Sequence, residues 1–180
     1  MKALIINYNR LTLPLKMADW LHERQIEPVF IDNNSDYPPL LEFYKNSPYQ
    51  VIRLYSNFGH TVVWNESLSI LRRLKINGRY IVTDPDLDLS GVPDDFLEVL
   101  NKGLDLYPVD KCALSLEIND LPNSTEGNYI RVHEAKYWKD ALDKQYFKAD
   151  TDTTLALYRP GSRYSHLAVR TNRPYTCKHI

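Results

Sequence analysis

The apolar positions of this chain change their period several times, and the changes mark its elements. Four short runs, Ala3 to Ile6, Pro28 to Ile31, Gln50 to Leu54 and Arg79 to Val82, predict strands. Between them the spacing turns helical. Leu13, Met17, Trp20 and Leu21 share one face, as do Val63, Ser67, Ile70, Leu71 and Leu74. Pro38-Pro39 ahead of Leu40, Leu41, Phe43 and Tyr44 predicts a short helix opened by proline in its first turn. Such βαβα alternation predicts an α/β fold with a mostly parallel sheet and helices on both faces.

Past residue 90 the pattern loosens. Asp94-Asp95-Phe96 opens a helix whose buried stripe is Phe96, Leu97, Leu100 and Leu104. Lys111 to Leu116 predicts a strand, residues 119–128 a polar loop, Ala135 to Leu142 a helix, and Thr153 to Tyr158 and His166 to Arg170 two more strands. The second half is therefore expected to be α+β and more irregular. No repeat, low-complexity tract or long linker divides the chain, so residues 1–180 are read as one domain with halves 1–90 and 91–180. Its final stretch, Arg173 to Ile180, shows neither a closing helix nor a polar tail.

Composition narrows the function classes. A length of 180 residues suffices for a sizeable core. A net charge of −1 supplies no global field toward nucleic acid or anionic membrane. No stretch approaches the ~20 apolar residues of a membrane span, and Met1 to Asn7 is too short for a signal peptide. A cytoplasmic protein is expected. Cys112 and Cys177 stand alone, which excludes zinc-knuckle and thioredoxin-like motifs. The 13 tyrosines suit sugar or base pockets, and equally half-buried packing sites.

The segment with most chemical content is Tyr80-Ile81-Val82-Thr83-Asp84-Pro85-Asp86-Leu87-Asp88. It runs from a buried strand straight into carboxylates, and Pro85 lacks the amide hydrogen that strand pairing needs. Carboxylates at a strand end can hold a divalent cation against a phosphate. Open parallel sheets bind ligands beyond the carboxyl ends of their strands. Two further ends carry polar clusters, Asn7-Tyr8-Asn9-Arg10 and Asp32-Asn33-Asn34-Ser35. An EF-hand is excluded because Leu89 stands where glycine is needed and Asp95 where glutamate is needed. A haloacid-dehalogenase-type phosphatase fits poorly, because Asp88 occupies the last motif position.

In this order, Ile5 to Arg10, Phe30 to Ser35, Asn57-Phe58-Gly59 and Asp84-Pro85-Asp86 resemble a GT-A glycosyltransferase of the family 2 type. The resemblance covers about residues 1–90. Asp152 to Tyr158 and Arg170 to His179 resemble a bacterial and viral branch of such enzymes, in which the chain is expected to run on beyond His179. The resemblance implies that Asn7, Tyr8, Asn9, Arg10 and Asp32 hold the base and ribose of a nucleotide sugar, a UDP- or GDP-sugar. It implies that Asn57 and Gly59 let backbone approach the nucleotide. Asp84 and Asp86, a DxD motif, would bind Mn²⁺ or Mg²⁺, with His179 as third ligand. Transfer to a glycan or other hydroxyl acceptor, with inversion, would use Asp152 as base. Glu117, Asp120 and Asp150 are the other carboxylates in range, and Tyr137 and Trp138 could stack on an acceptor sugar. The Glu-Asp pair that usually carries the base in family 2 is absent.

Two other readings stay open. Asp32 could simply cap its own turn through an Asx bond, and Gly59 could serve only a turn. The chain could also be a sugar-nucleotide or glycan-binding module without turnover, or an incomplete catalytic domain. A nucleotidyltransferase is disfavoured, since no glycine precedes Gly59 to form a phosphate loop.

Overall fold

A computed structural model describes residues 1–180. The chain order is β1 (Lys2–Asn7), α1 (Thr12–Glu23), β2 (Glu27–Asp32), α2 (Pro38–Lys45), β3 (Gln50–Arg53), α3 (Ile70–Arg73), β4 (Tyr80–Thr83) and β5 (Leu87–Asp88). There follow α4 (Phe96–Leu106), β6 (Lys111–Ala113), β7 (Ser115–Leu116), α5 (Thr125–Ala135), β8 (Tyr146–Lys148), β9 (Ala156–Tyr158), β10 (Ala168–Thr171) and β11 (Thr176–His179). Eight strands form one sheet in the order β3-β2-β1-β4-β9-β6-β10-β8. β3, β2, β1 and β4 run parallel, β9 is antiparallel to both β4 and β6, β10 is parallel to β6, and β8 is antiparallel to β10. This is the mostly parallel α/β architecture that the alternation predicts. No helix is long and apolar enough to cross a membrane.

Strand residues alternate between two cores, as a two-residue period requires. Ala3, Ile5, Phe30 and Ile81 face one side, where Met17, Ala18 and Leu21 of α1 and Phe96, Leu100 and Leu104 of α4 close over them. Leu4, Ile6, Val29, Ile31 and Val82 face the other, against Val62, Val63, Ile70 and Leu74. Each fully buried Leu, Ile or Phe contributes about 2 kcal/mol. Cys112 sits wholly inside the first core.

Several expectations needed correction. The helix expected through Val63 to Leu74 is broken into a 3₁₀ turn at Val62–Trp64 and the four-residue α3. Asn65 is the cause: its Oδ1 accepts from the Ser67 amide (3.0 Å) and hydroxyl (2.6 Å), a local bond that competes with helix. Ser69 then takes a left-handed φ of 49°. The strand expected from Lys111 to Leu116 is two strands. The Leu114 amide donates to the Leu155 carbonyl, after which β7 leaves the large sheet.

The helix placed at Ala135 to Leu142 lies earlier, at Thr125–Ala135, and ends in a 3₁₀ turn at Lys136–Trp138. The polar segment 119–128 therefore contains its first turn. Ser124 caps it by accepting from the Gly127 amide at 3.0 Å. Gly127 is required there, because a Cβ would lie 2.1 Å from the Pro122 carbonyl oxygen. The terminal stretch, which has neither a closing helix nor a polar tail, forms β11. It pairs with β5 and β7 in a second sheet of three strands, β5-β11-β7.

Candidate active site

The ends of β1, β2 and β3 are knitted together by side chains. Asn9, at a left-handed φ of 53°, accepts from the Asp36 and Tyr37 amides (2.9 and 3.0 Å), and its own amide donates to Ser35 Oγ. Asn7 Nδ2 donates to the Arg10 carbonyl and to Tyr44 Oη, while its Oδ1 is buried with no partner. Asn33 accepts from the Phe58 amide and donates to the Gly59 carbonyl. Gly59 adopts φ of 71°, a conformation that favours glycine, and its amide donates to Asn57 Oδ1 at 2.9 Å. Tyr8, Arg10 and Asn57 are exposed on this edge.

Asp32 is fully buried. Its Oδ2 accepts from the Ser35 amide at 3.1 Å and Arg53 Nε at 3.3 Å, and Tyr44 Oη donates to Oδ1 at 3.4 Å. The Asx bond that the sequence allowed is thus present, and the carboxylate organises this edge from beneath.

Asp84 and Asp86 leave the end of β4, as the strand-to-carboxylate pattern requires. The Asp84 amide donates to the Thr153 carbonyl, and Thr153 Oγ1 donates back to Asp84 Oδ1 at 2.5 Å. Burial pushes the Asp84 carboxyl up to about 6; the Thr153 hydroxyl works against the shift and the charges of Asp152 and Asp86 add to it. Asp86 is nearly buried. Its Oδ2 lies 3.2 Å from Arg10 Nη2 and its Oδ1 3.6 Å from His179 Nε2. β11 brings His179 there, through pairing with β5 and an Ile180 amide bond to the Asp86 carbonyl.

No ready-made cluster of three or more His, Cys, Asp or Glu ligands exists in the structure. The donor set nonetheless suits a hard divalent cation whose shell is completed by ligand oxygens. Asp84, Asp86 and Asp152 gather negative charge at one spot, and one imidazole stands beside it.

A cavity of about 610 Å³ opens over this strand end, with Asp84, Asp152, Asp150 and His179 in its wall. Asn7 to Arg10, Asp32 and Asp86 do not line it. Four candidate bases differ in what they touch. Glu117 is held bidentately by Arg173, at 2.8 and 2.7 Å, and that hydrogen bonding drives its carboxyl down to about 2. Asp120 is paired with Lys178 at 2.5 Å. Asp150 is exposed. Asp152 pairs with no cationic side chain: its Oδ1 accepts from the Thr153 amide at 2.7 Å and the Thr154 hydroxyl at 3.4 Å. Burial pushes this carboxyl up, but the backbone bonds and the Arg170 charge outweigh it, so the net shift is downward.

Sequence reasoning missed the residue that sets this turn. Lys111 is fully buried, and its Nζ donates to the Thr151 and Asp152 carbonyls at 2.5 and 2.7 Å. It also missed the buried pair Arg170 and Glu134, 3.1 Å apart. Of the predicted stacking residues, Tyr137 lines the cavity, whereas Trp138 packs edge-on to Phe147 and under Arg173. The i, i+4, i+8 spacing of Tyr129, His133 and Tyr137 was the available signal for the cavity wall.

No known family and no curated protein matches this sequence. Among solved structures, the chain is similar to S. aureus TarS 1–349 at a TM-score of 0.51 and 14% identity, over 88% of this chain and 46% of that one. The same region of S. aureus TarS in complex with UDP-GlcNAc gives a TM-score of 0.52 at 14% identity, over 88% and 44%. The chain spans about half the length of these structures. At this identity the likeness shows a shared fold.

Proposed function

We propose that this chain is a nucleotide-sugar glycosyltransferase domain that transfers a sugar, with inversion, to a hydroxyl acceptor. The carrying observation is that Asp84, at the carboxyl end of β4, and the cation-free Asp152 share the wall of one 610 Å³ cavity. The shared fold with TarS, which has been solved with UDP-GlcNAc, supports the donor class. The nucleoside would lie on the edge formed by Asn7, Tyr8, Asn9, Arg10, Asn57 and Gly59, with Asp32 holding that edge from below.

Asp152 is ionised at neutral pH, the form a general base needs. As the acceptor oxygen attacks the anomeric carbon, Asp152 accepts the hydroxyl proton. The bond from the anomeric carbon to the diphosphate oxygen breaks, and its electron pair leaves with the nucleoside diphosphate. Attack on the face of the anomeric carbon opposite the departing oxygen would invert that centre. Mn²⁺ or Mg²⁺ held by Asp84, Asp86 and His179 would supply charge neutralisation for the leaving diphosphate. Arg10, 3.2 Å from Asp86, fixes that carboxylate and adds positive charge at the same place.

Calorimetric titration of UDP and GDP, each with Mn²⁺ and with EDTA, tests the proposal. One nucleoside diphosphate is expected to bind, and only with metal. Failure of both under both conditions overturns it. Binding of the intact nucleotide sugar with no release of sugar to water or acceptor would identify a binding module.

A further inference from the structure

The cavity has a second wall that the donor chemistry does not use. Tyr129, His133 and Tyr137 follow at four-residue intervals along α5 and the turn after it, and all three line the cavity. Their rings form a ladder: Tyr129 and His133 stack at 6.4 Å and 21°, and His133 meets Tyr137 edge-on at 6.1 Å. Tyr129 is 73% exposed, so packing does not account for it. The guanidinium of Arg170 lies 4.2 Å from the Tyr137 ring centre and fixes that end of the ladder.

Two buried polar atoms in the same wall lack partners. Arg170, with a side chain only 5% exposed, donates through Nη1 to Glu134 but leaves its Nε–H unpaired. Thr151 Oγ1 is likewise buried and unpaired. Both residues line the cavity. A buried polar group without a partner costs about 1–3 kcal/mol, so a hydroxyl or water reaching either one would add stability. One donates only, and the other donates or accepts. Hydroxyl groups satisfy both, and a flat apolar C–H face suits the ring ladder.

The charge of the cavity selects further. Asp84, Glu117, Asp120, Glu134, Asp150 and Asp152 line it against Arg170 and Lys178, which are already paired to Glu134 and Asp120. Away from the cation proposed at Asp84 and Asp86, a phosphorylated or carboxylated ligand would meet net repulsion there.

We propose that the α5 wall is a subsite for a neutral pyranose, the acceptor-side sugar of the transfer. The word acceptor rests on the transferase reading; the pyranose site does not. The probes are methyl β-glucopyranoside and methyl β-N-acetylglucosaminide, with sorbitol 6-phosphate as an open-chain anion. Binding is read from the aromatic ¹H–¹³C resonances of Tyr129, His133 and Tyr137. The pyranosides are expected to shift these three residues. Tyr129→Ala should weaken binding about five-fold, the size of one lost aromatic face, and Tyr129→Trp should restore it. Thermal melting of both variants verifies the fold. Pyranosides that leave the ladder unshifted, a stronger response to sorbitol 6-phosphate, or undiminished binding by Tyr129→Ala each overturn the proposal. Nucleotide titration of the same sample separates the two readings. Pyranoside binding without nucleotide binding supports this site and refutes the transferase, whereas nucleotide binding without pyranoside binding refutes only the site.

Discussion

Lys111→Met tests whether one buried amine sets the turn that presents Asp152. Methionine keeps the unbranched length and removes every donor. In the wild type, Nζ donates to the Thr151 and Asp152 carbonyls at 2.5 and 2.7 Å and sits 3.3 Å from Tyr158 Oη. Leaving the two carbonyls unpaired costs about 1–3 kcal/mol each. The substitution also relieves a penalty, because burial depresses the ammonium from 10.5 to about 8. At about 1.4 kcal/mol per unit, that relief is at most ~3 kcal/mol. A net loss of up to about 3 kcal/mol at neutral pH is expected when the full relief applies. The pH dependence is more diagnostic. The folded value lies below the unfolded one, so between about 8 and 10.5 the unfolded chain keeps a proton that the folded chain has lost. Wild-type stability should therefore gain from this group as pH rises through that window, with the penalty fully present below it. Urea unfolding followed by tryptophan fluorescence at several pH values, for both proteins, isolates the difference. Equal pH slopes for the two proteins, or a more stable variant at neutral pH, would refute the reasoning.

Four further substitutions probe separate joints of the structure. Asp152→Asn should leave nucleotide affinity unchanged and lower transfer by about 10²–10⁴-fold; transfer near the wild-type rate in a product assay excludes Asp152 as base. Asp86→Ala should abolish metal-dependent nucleotide binding in calorimetry while a cooperative thermal transition persists, and loss of that transition would show the carboxylate to be structural. Thr153→Val removes the hydroxyl that donates to Asp84 at 2.5 Å and should cost about 1.5–3 kcal/mol in urea unfolding; Thr153→Ser should recover most of it, and a Thr153→Val protein as stable as the wild type would refute the bond's contribution. Gly103→Ala would place a Cβ 2.5 Å from Cys112 Sγ and 2.9 Å from Tyr146 Cε1. Overpacking of about 1–3 kcal/mol then exceeds the helix-propensity gain of about 1, and the double variant with Cys112→Ala should be less destabilised than Gly103→Ala alone.

The first half of the fold was legible because its strands are long and buried on both faces. β1, β2 and β4 are almost unbroken runs of buried residues, as parallel strands packed on both faces must be. The carboxylates beyond β4 were legible for the same reason: the strand had to stop, and Pro85 marked where. The second half hid its elements. β6 to β9 are two or three residues long, too short for a period to show. α5 carries only two buried residues, Gly127 and Glu134, so no apolar stripe announces it. Lys111 begins a strand and reads as a solvated end; only its contacts 40 and 41 residues along the chain reveal it as buried.

What remained hidden was long-range, and the site depends on it. β9 inserts between β4 and β6 with antiparallel pairing to each, and this insertion joins the two halves within the large sheet. Continuing the register past the β4 end sets Thr153 against Asp84, amide to carbonyl and hydroxyl to carboxylate. Lys111 on β6 then fixes the other side of the same turn, so Asp152 is held between strands contributed by both halves. The second sheet works in the same way: β11 crosses from β7 to β5 and delivers His179 to Asp86. Asp84 and Asp86, the two acids beyond β4, are thus each met by a residue of the second half. Within the parallel β3-β2-β1-β4 unit Asp32 already has its partners, Ser35, Tyr44 and Arg53, whereas Asp84 finds its hydroxyl donor only across the halves, in Thr153. The chemistry proposed for this domain therefore belongs to the interlock of its halves, in which β9 and β11 are the decisive strands.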